Sequence, residues 1–191
     1  RAAKRGLWPA WQSSELPFHR FGEIPDNESP LVDGGPMCVR KLALIASWWL
    51  LREIEVAALV VECIELSTDT ATLCLPASKN DQEGRGTTRS LTCICAQGAL
   101  APTCPFHVVA SQLDWAIARA DALRAPRASF PLFPTVAGGV APKRASAATV
   151  VAIAQLLDLP VVTSTGAPKY SGHSDRVTGA MHMASAGIDT W

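Results

Sequence analysis

Val60-Val61-Glu62-Cys63-Ile64-Glu65-Leu66, Ser67-Thr68-Asp69-Thr70 and Ala71-Thr72-Leu73-Cys74-Leu75 are the consecutive stretches on which the fold turns. Two β-prone runs flank a cluster of turn formers, which reads as two strands joined tightly. Beyond the polar loop from Lys79 to Gly86, Thr88 to Cys93 supplies a third run. Together they predict a small three-stranded antiparallel sheet with Lys79 in its second turn. Helical patterning lies on both sides of it. Upstream, Val39, Leu42, Leu44, Ile45 and Trp48 fall near a 3.6-residue period and predict a helix from Met37. A break near Trp49-Leu50 precedes a second helix, Arg52 to about Val60, with Glu53 and Glu55 in its first turn, where acidic side chains favour the dipole. Downstream, a helix over Phe106 to Leu123 places Val109, Leu113, Ile117 and Ala120 on one face. Pro126, Pro131-Leu132-Phe133-Pro134 and Gly138-Gly139 then mark a loop. Ala145 to Leu157 is predicted helical with Val150, Ile153, Leu156 and Leu157 inward, and a last helix runs from Ser174 to Ala186 and stops at Gly187. The expected class is therefore mainly α with a small three-stranded antiparallel β-sheet (α+β). Residues 1–36, rich in Pro, Gly and Trp, read as an irregular lead-in to a domain over 37–191.

With 48% hydrophobic and 18% charged residues, the chain of 191 residues has enough apolar surface for an ordinary core, which argues against wholesale disorder. Its longest apolar run, Leu42 to Leu51, is cut by Arg52 and Glu53, short of the ~18 residues a membrane span needs. The basic start is followed by Trp8-Pro9 and Trp11-Gln12-Ser13 where a secretory leader would be apolar, so a soluble, intracellular protein is expected. Seventeen basic and 17 acidic residues give zero net charge, which lends nucleic-acid binding no support by itself. The basic residues are nonetheless grouped, at Arg40-Lys41, Lys79 to Arg89, Arg119 to Arg127 and Lys143-Arg144, and a basic face is compatible with that distribution.

Six cysteines without a leader point to thiols or metal rather than disulfides. Cys38, Cys63 and Cys74 stand singly in apolar runs, as core residues do. Cys93, Cys95, Cys104 and His107 cluster, and three thiolates with one imidazole suit a tetrahedral structural zinc inserted over 93–107. The Cys-x-Cys half is tighter than the usual Cys-x2-Cys, and reduced cysteines packed between sheet and helix are the competing reading.

Three further features are each unremarkable alone. Arg52-Glu53-Ile54-Glu55 puts an Arg-x-x-Glu at a helix start, as ordinary surface helices also do. Lys79 follows a strand, like many solvated loop lysines. Gly172-His173-Ser174-Asp175-Arg176 is a His-x-x-Arg, a pattern common by chance. In this order, with Pro131-Leu132-Phe133-Pro134 between lysine and histidine and Ala184-Ser185-Ala186-Gly187-Ile188 after, they resemble the tyrosine recombinase (phage integrase) catalytic domain. The run from Gly172 through Val177-Thr178-Gly179-Ala180 is most similar to recombinases of eukaryotic mobile elements such as DIRS-like retroelements. The resemblance spans about Met37 to Trp191.

That resemblance implies DNA strand breakage and rejoining through a phosphotyrosine, during site-specific recombination or integration. Arg52 and Arg176 would clamp the nonbridging phosphate oxygens with paired hydrogen bonds. Lys79 would protonate the leaving 5′-oxygen, and His173 would assist proton transfer. Glu55 would support the fold around Arg52. No catalytic cofactor is implied. The partner would be double-stranded DNA, bound by a tetramer in relatives, with no membrane association and a nuclear location. The family's nucleophilic tyrosine lies beyond the His-x-x-Arg helix, whereas the only tyrosine here, Tyr170, precedes His173. The chain is thus expected to be an inactive fragment, truncated before the nucleophile. A non-catalytic DNA- or protein-binding module on the same fold is the alternative.

Overall fold

The computed structural model describes residues 13–75, 86–95 and 100–188. Helix α1 (Val39–Trp48) lies at the centre, and Val39, Leu42, Ala43, Leu44, Ile45, Ala46 and Ser47 are all buried. Apart from Arg40 and Lys41 in its first turn, the helix is apolar on every side and is enclosed accordingly. The short α2 (Glu53–Ala58) follows, then the strands β1 (Ile64–Leu66), β2 (Thr70–Leu75) and β3 (Thr87–Thr92). They form one antiparallel sheet in the order β1-β2-β3. Register is set by the inward row of β2: Ala71, Leu73 and Leu75 are buried, opposite Leu91, Arg89 and Thr87 of β3. A slip of one residue would turn that row to solvent. The α+β class read from the sequence is the one observed.

Three longer helices complete the domain: α3 (Pro105–Ala122), α4 (Lys143–Leu156) and α5 (Ser174–Ser185). Helix α1 packs against both α3 and α5, and α2 packs against α4. The inward face of α3 is turned from the predicted one. Pro105, Val108, Val109, Gln112, Ala116 and Ala120 are buried, whereas Leu113 and Ile117 are only half-buried. The cause is Gln112, whose side-chain amide donates 2.6 Å to Leu132 O and so belongs inside despite its polarity. In α4, Val150 and Ile153 point inward as expected and Leu157 just beyond is buried, but Leu156 is exposed. Thr149 and Ala154 take the inner positions instead; Thr149 can do so because its hydroxyl donates to Ala145 O. Cys38 and Cys63 are core residues, while Cys74 is half-buried on the outward side of β2.

The Pro131–Pro134 segment docks by backbone bonds: Leu132 N donates to Leu59 O, and Met37 N to Pro134 O, each at 2.9 Å. Residues 13–36 carry one 3-10 turn, Phe18–Glu23, yet Leu16, Phe18, Phe21 and Ile24 join the same core. Among the described residues no helix is long and apolar enough to cross a membrane.

Candidate phosphate-binding site and metal centre

Helix α1 ends in a Schellman arrangement: Leu51 N donates to Ala46 O at 2.8 Å, and Leu50 N to Ser47 O at 3.2 Å. The motif wants glycine at its left-handed position, but Leu50 stands there with φ 53°. The Arg89 guanidinium reaches from β3 to hold the turn, donating to Trp49 O and, at 3.4 Å, to Leu50 O. In return the Trp49 indole donates 3.1 Å to Arg89 O. Two residues on, Arg52 is the N-cap of α2. Arginine cannot cap by accepting, so the buried Glu55 does the work: its carboxylate accepts from Arg52 N at 2.8 Å and from the guanidinium at 3.4 Å. The spacing Arg-x-x-Glu is thereby explained as the two ends of one helix start.

Helix α5 begins beside this point. Glu53 N donates 3.1 Å to Gly172 O, so the starts of α2 and α5 are joined by backbone. A Cβ at Gly172 would fall 2.4 Å from the Glu53 carboxyl carbon, and one at Gly179 would fall 1.9 Å from Ser47 O. Both glycines let α5 lie directly on α1 and α2. His173, the N-cap of α5, is exposed, with Nδ1 4.0 Å from Glu53 Oε2. Arg176, one turn in, is half-buried. Burial lowers its pKa, as does the Arg52 guanidinium close by; Glu55 opposes the shift and Arg89 adds to it. Arg52, Arg176, Arg89 and Glu55 thus share one electrostatic neighbourhood, with His173 at its edge. Lys79, the remaining expected member, lies outside the described residues.

Beneath this surface sit two carboxyls. Asp175 is buried and its pKa is pushed up to about 7, by desolvation first and by Glu53 second. Glu53 Oε1 is 3.6 Å from Lys143 Nζ, which ties α4 to the same spot. Among the described residues Glu53 Oε2 and Asp175 Oδ1 have no hydrogen-bond partner, and both residues line a cavity of about 20 Å³, room for one water. Tyr170 is buried, and burial, with Glu15 nearby, raises its pKa.

A second cluster lies at the far end of β3. The donor atoms of Cys93, Cys95, Cys104 and His107 all lie within 4.8 Å of one another. His107 Nδ1 is 3.3 Å from Cys104 Sγ, 3.5 Å from Cys95 Sγ and 3.8 Å from Cys93 Sγ, and Cys104 Sγ is 3.6 Å from Cys93 Sγ. Around a tetrahedral Zn²⁺ with bonds of about 2.3 Å to sulfur and 2.0–2.1 Å to nitrogen, donor–donor edges are about 3.8 Å and 3.5 Å. Four of the six spacings are close to those edges and the other two are no longer than 4.8 Å, so the four residues can close round a metal ion. The Cys95 and Ala101 N–H groups point at Cys93 and Cys95 sulfurs, as outer partners of thiolate ligands do. Burial raises the Cys104 pKa, but hydrogen bonds from His107 and the Ile94 backbone bring it down to about 6.

The same architecture occurs in solved structures. The chain matches the XerH site-specific recombinase bound to difH substrate in a pre-cleavage complex, with TM-score 0.58 and 16% identity, over 88% of this chain and 40% of that one. It matches XerH bound to palindromic difH substrate in a post-cleavage complex with TM-score 0.61 and 14% identity, over 91% and 42%. The fold is one that the XerH site-specific recombinase also contains. The chain spans about two fifths of the length of these relatives. No family model and no curated protein matches the sequence.

Sequence reasoning passed over Arg89, Glu53 and Asp175. Arg89 carried a period-two signal, since it shares the inner side of β3 with Thr87 and Leu91. A basic residue on an inward row needs a partner, and here it is the end of α1. Nothing in the sequence distinguishes Asp175 from a first-turn surface aspartate; its burial comes from tertiary packing, at a cavity that residues of α1, α2 and α4 also line.

Proposed function

We propose that this chain supplies the phosphate-activating part of a centre for DNA strand breakage and rejoining. Arg52 and Arg176 hold the nonbridging oxygens of one phosphodiester, where negative charge grows as phosphorus becomes pentacoordinate. His173 hydrogen-bonds the same phosphate or assists proton transfer, and Lys79 protonates the leaving 5′-oxygen. The observation that supports this best is the convergence of Arg52, at the start of α2, with His173 and Arg176, at the start of α5. Two guanidiniums held together against their mutual repulsion call for an anion between them. Duplex DNA is the partner, and assembly as a tetramer in the nucleus follows the mobile-element resemblance. The attacking tyrosine is not Tyr170, so these 191 residues alone bind and polarise a phosphodiester without cutting it. The Cys93, Cys95, Cys104 and His107 cluster holds a structural Zn²⁺.

The test is binding of a fluorescent duplex, followed by anisotropy at stepped salt, beside titration with orthovanadate as a mimic of pentacoordinate phosphate. Arg52→Ala and Arg176→Ala should each weaken orthovanadate binding by about 10- to 100-fold, the loss of a charged hydrogen-bond pair. Duplex binding that persists while orthovanadate is ignored by the parent protein would replace this reading with a non-catalytic DNA-binding module.

A further inference from the structure

We infer that the metal at the Cys93–His107 cluster braces the turn carrying Arg52, so that metal loading sets the geometry of the phosphate cradle. The inference rests on the zinc assignment above and is independent of whether DNA is cut.

The cluster has two limbs, and each is tied to one of two consecutive tryptophans at the end of α1. The first limb is β3, whose end leads into Cys93. Four residues before that cysteine, Arg89 O accepts the Trp49 indole N–H, while its guanidinium donates to Trp49 O and Leu50 O. The second limb is the approach to α3. Thr103, adjacent to Cys104, accepts the Trp48 indole N–H through its carbonyl at 2.7 Å. Trp48 and Trp49 therefore each grip one side of the metal site with one indole donor. Both are followed directly by Leu50, in a left-handed conformation that leucine adopts only where its surroundings impose it. Arg52 is the second residue after it.

The limbs meet at the ligands: Cys93 and Cys95 lie at the end of one, Cys104 and His107 at the start of the other. An ion bonded to all four fixes the distance between Arg89 and Thr103, and so the spacing of the two indole anchors. With the ion removed, what remains at the ligands is contact between thiols and an imidazole, each far weaker than a metal bond. Cys93 N still donates to Asp69 O at 2.7 Å, so the sheet survives metal loss. Helix α3 also stays packed on α1 and the sheet, but its first turn loses the metal link to the end of β3, and the Leu50 turn loses part of the frame that holds it. Arg89 is thus a positioning residue: it touches no phosphate in this account and acts on Arg52 through the turn.

The experiment uses the full chain, first loaded with Co²⁺ to report the ligand set by thiolate charge-transfer and tetrahedral d–d absorption, then with Zn²⁺. Amide hydrogen exchange of the peptide covering 48–53 is compared in zinc-loaded and chelated protein, with a peptide from α4 as internal reference. Metal removal should speed exchange at 48–53 about tenfold, the effect of losing roughly one charged hydrogen bond from a local opening equilibrium, and leave α4 unchanged. Arg89→Met should produce the same acceleration with the cobalt spectrum intact, and Arg89→Lys, which can still donate to the two carbonyls, should restore part of the protection. Three results overturn the inference: no tetrahedral cobalt spectrum, unchanged exchange at 48–53 after metal loss, or acceleration spread evenly over every peptide. None of these readouts requires DNA or orthovanadate, so failure of the strand-exchange reading would register separately.

Discussion

Gly179→Ala should destabilise this protein although it improves a helix. In an exposed helix interior, replacing glycine by alanine gains up to about 1 kcal/mol. Here the added Cβ would sit 1.9 Å from Ser47 O, 2.7 Å from Ser47 C and 2.8 Å from Leu50 Cδ2. Two of those atoms are backbone at the end of α1 and cannot rotate away. Helix α5 would have to retreat by more than about 1 Å, opening the contact it makes along α1. Overpacking of this kind costs about 1–3 kcal/mol, and the upper end applies when backbone is the obstacle. The net expectation is a loss of about 2 kcal/mol, or about 4–8 °C in Tm for a domain of this size. Because α5 carries His173 and Arg176 while the obstacle lies beside the Arg52 turn, orthovanadate affinity should fall along with stability. Thermal unfolding by circular dichroism, with orthovanadate titration on the folded protein, measures both. A Tm equal to or above the parent's would refute the packing argument, since helix propensity would then have won.

Gly172→Ala meets only the flexible end of Glu53, so it should cost less stability than Gly179→Ala, under about 1.5 kcal/mol by urea unfolding, while displacing Glu53 from His173. Asp175 has its folded pKa raised above the unfolded value; its contribution is fully present below about pH 4 and is lost as pH rises through about 7. Asp175→Asn should therefore be more stable than the parent at pH 8, with the difference shrinking towards pH 4, as followed by urea midpoints. His182, whose pKa burial lowers, acts in the opposite sense, losing stability as pH falls through about 6.5, but it is common to both proteins and cancels from the comparison. Glu55→Ala should cost about 1–2 kcal/mol by removing the acceptor that caps α2, and Glu55→Gln should cost less, because an amide oxygen can still accept from Arg52 N. Equal losses for the two would show that charge on the guanidinium, not capping, is what Glu55 provides.

The three strands and five helices were legible in the sequence because each is set by a local pattern: β-prone runs flanking the turn formers Ser67 to Thr70, apolar periodicity along α1, α3 and α4, acidic residues in the first turn of α2, and the glycine stop after α5. The helix faces were less so. Gln112 lies inside through a hydrogen bond to a residue 20 positions away, and no local window contains that information. Arg52, His173 and Arg176 were singled out through their resemblance to a family pattern, not through periodicity; that α2 and α5 start side by side, with Arg52 in the electrostatic surroundings of Arg176, is a tertiary fact. What stayed hidden is what only tertiary contact creates: the buried pair Glu53 and Asp175, and the reach of Arg89 across to α1. The aromatic anchors at Phe18 and Phe21 were hidden for a different reason, since a 3-10 turn leaves no long period to detect.

The segment before α1 holds on to the opposite end of the sequence. Leu16 N donates 2.7 Å to the Thr178 hydroxyl, Ser14 N donates 2.7 Å to Lys169 O, and Phe18 stacks on His182 with ring centroids 4.0 Å apart. These bonds join positions about 160 apart along the polypeptide, among the longest loops this chain can close. A nascent chain emerging from the ribosome can build the sheet and α3 early, but Arg176 reaches Arg52 only after the 123 residues between them have been made. A polypeptide that stops short of α5 therefore cannot bring Arg176 to Arg52, whatever else it has already folded.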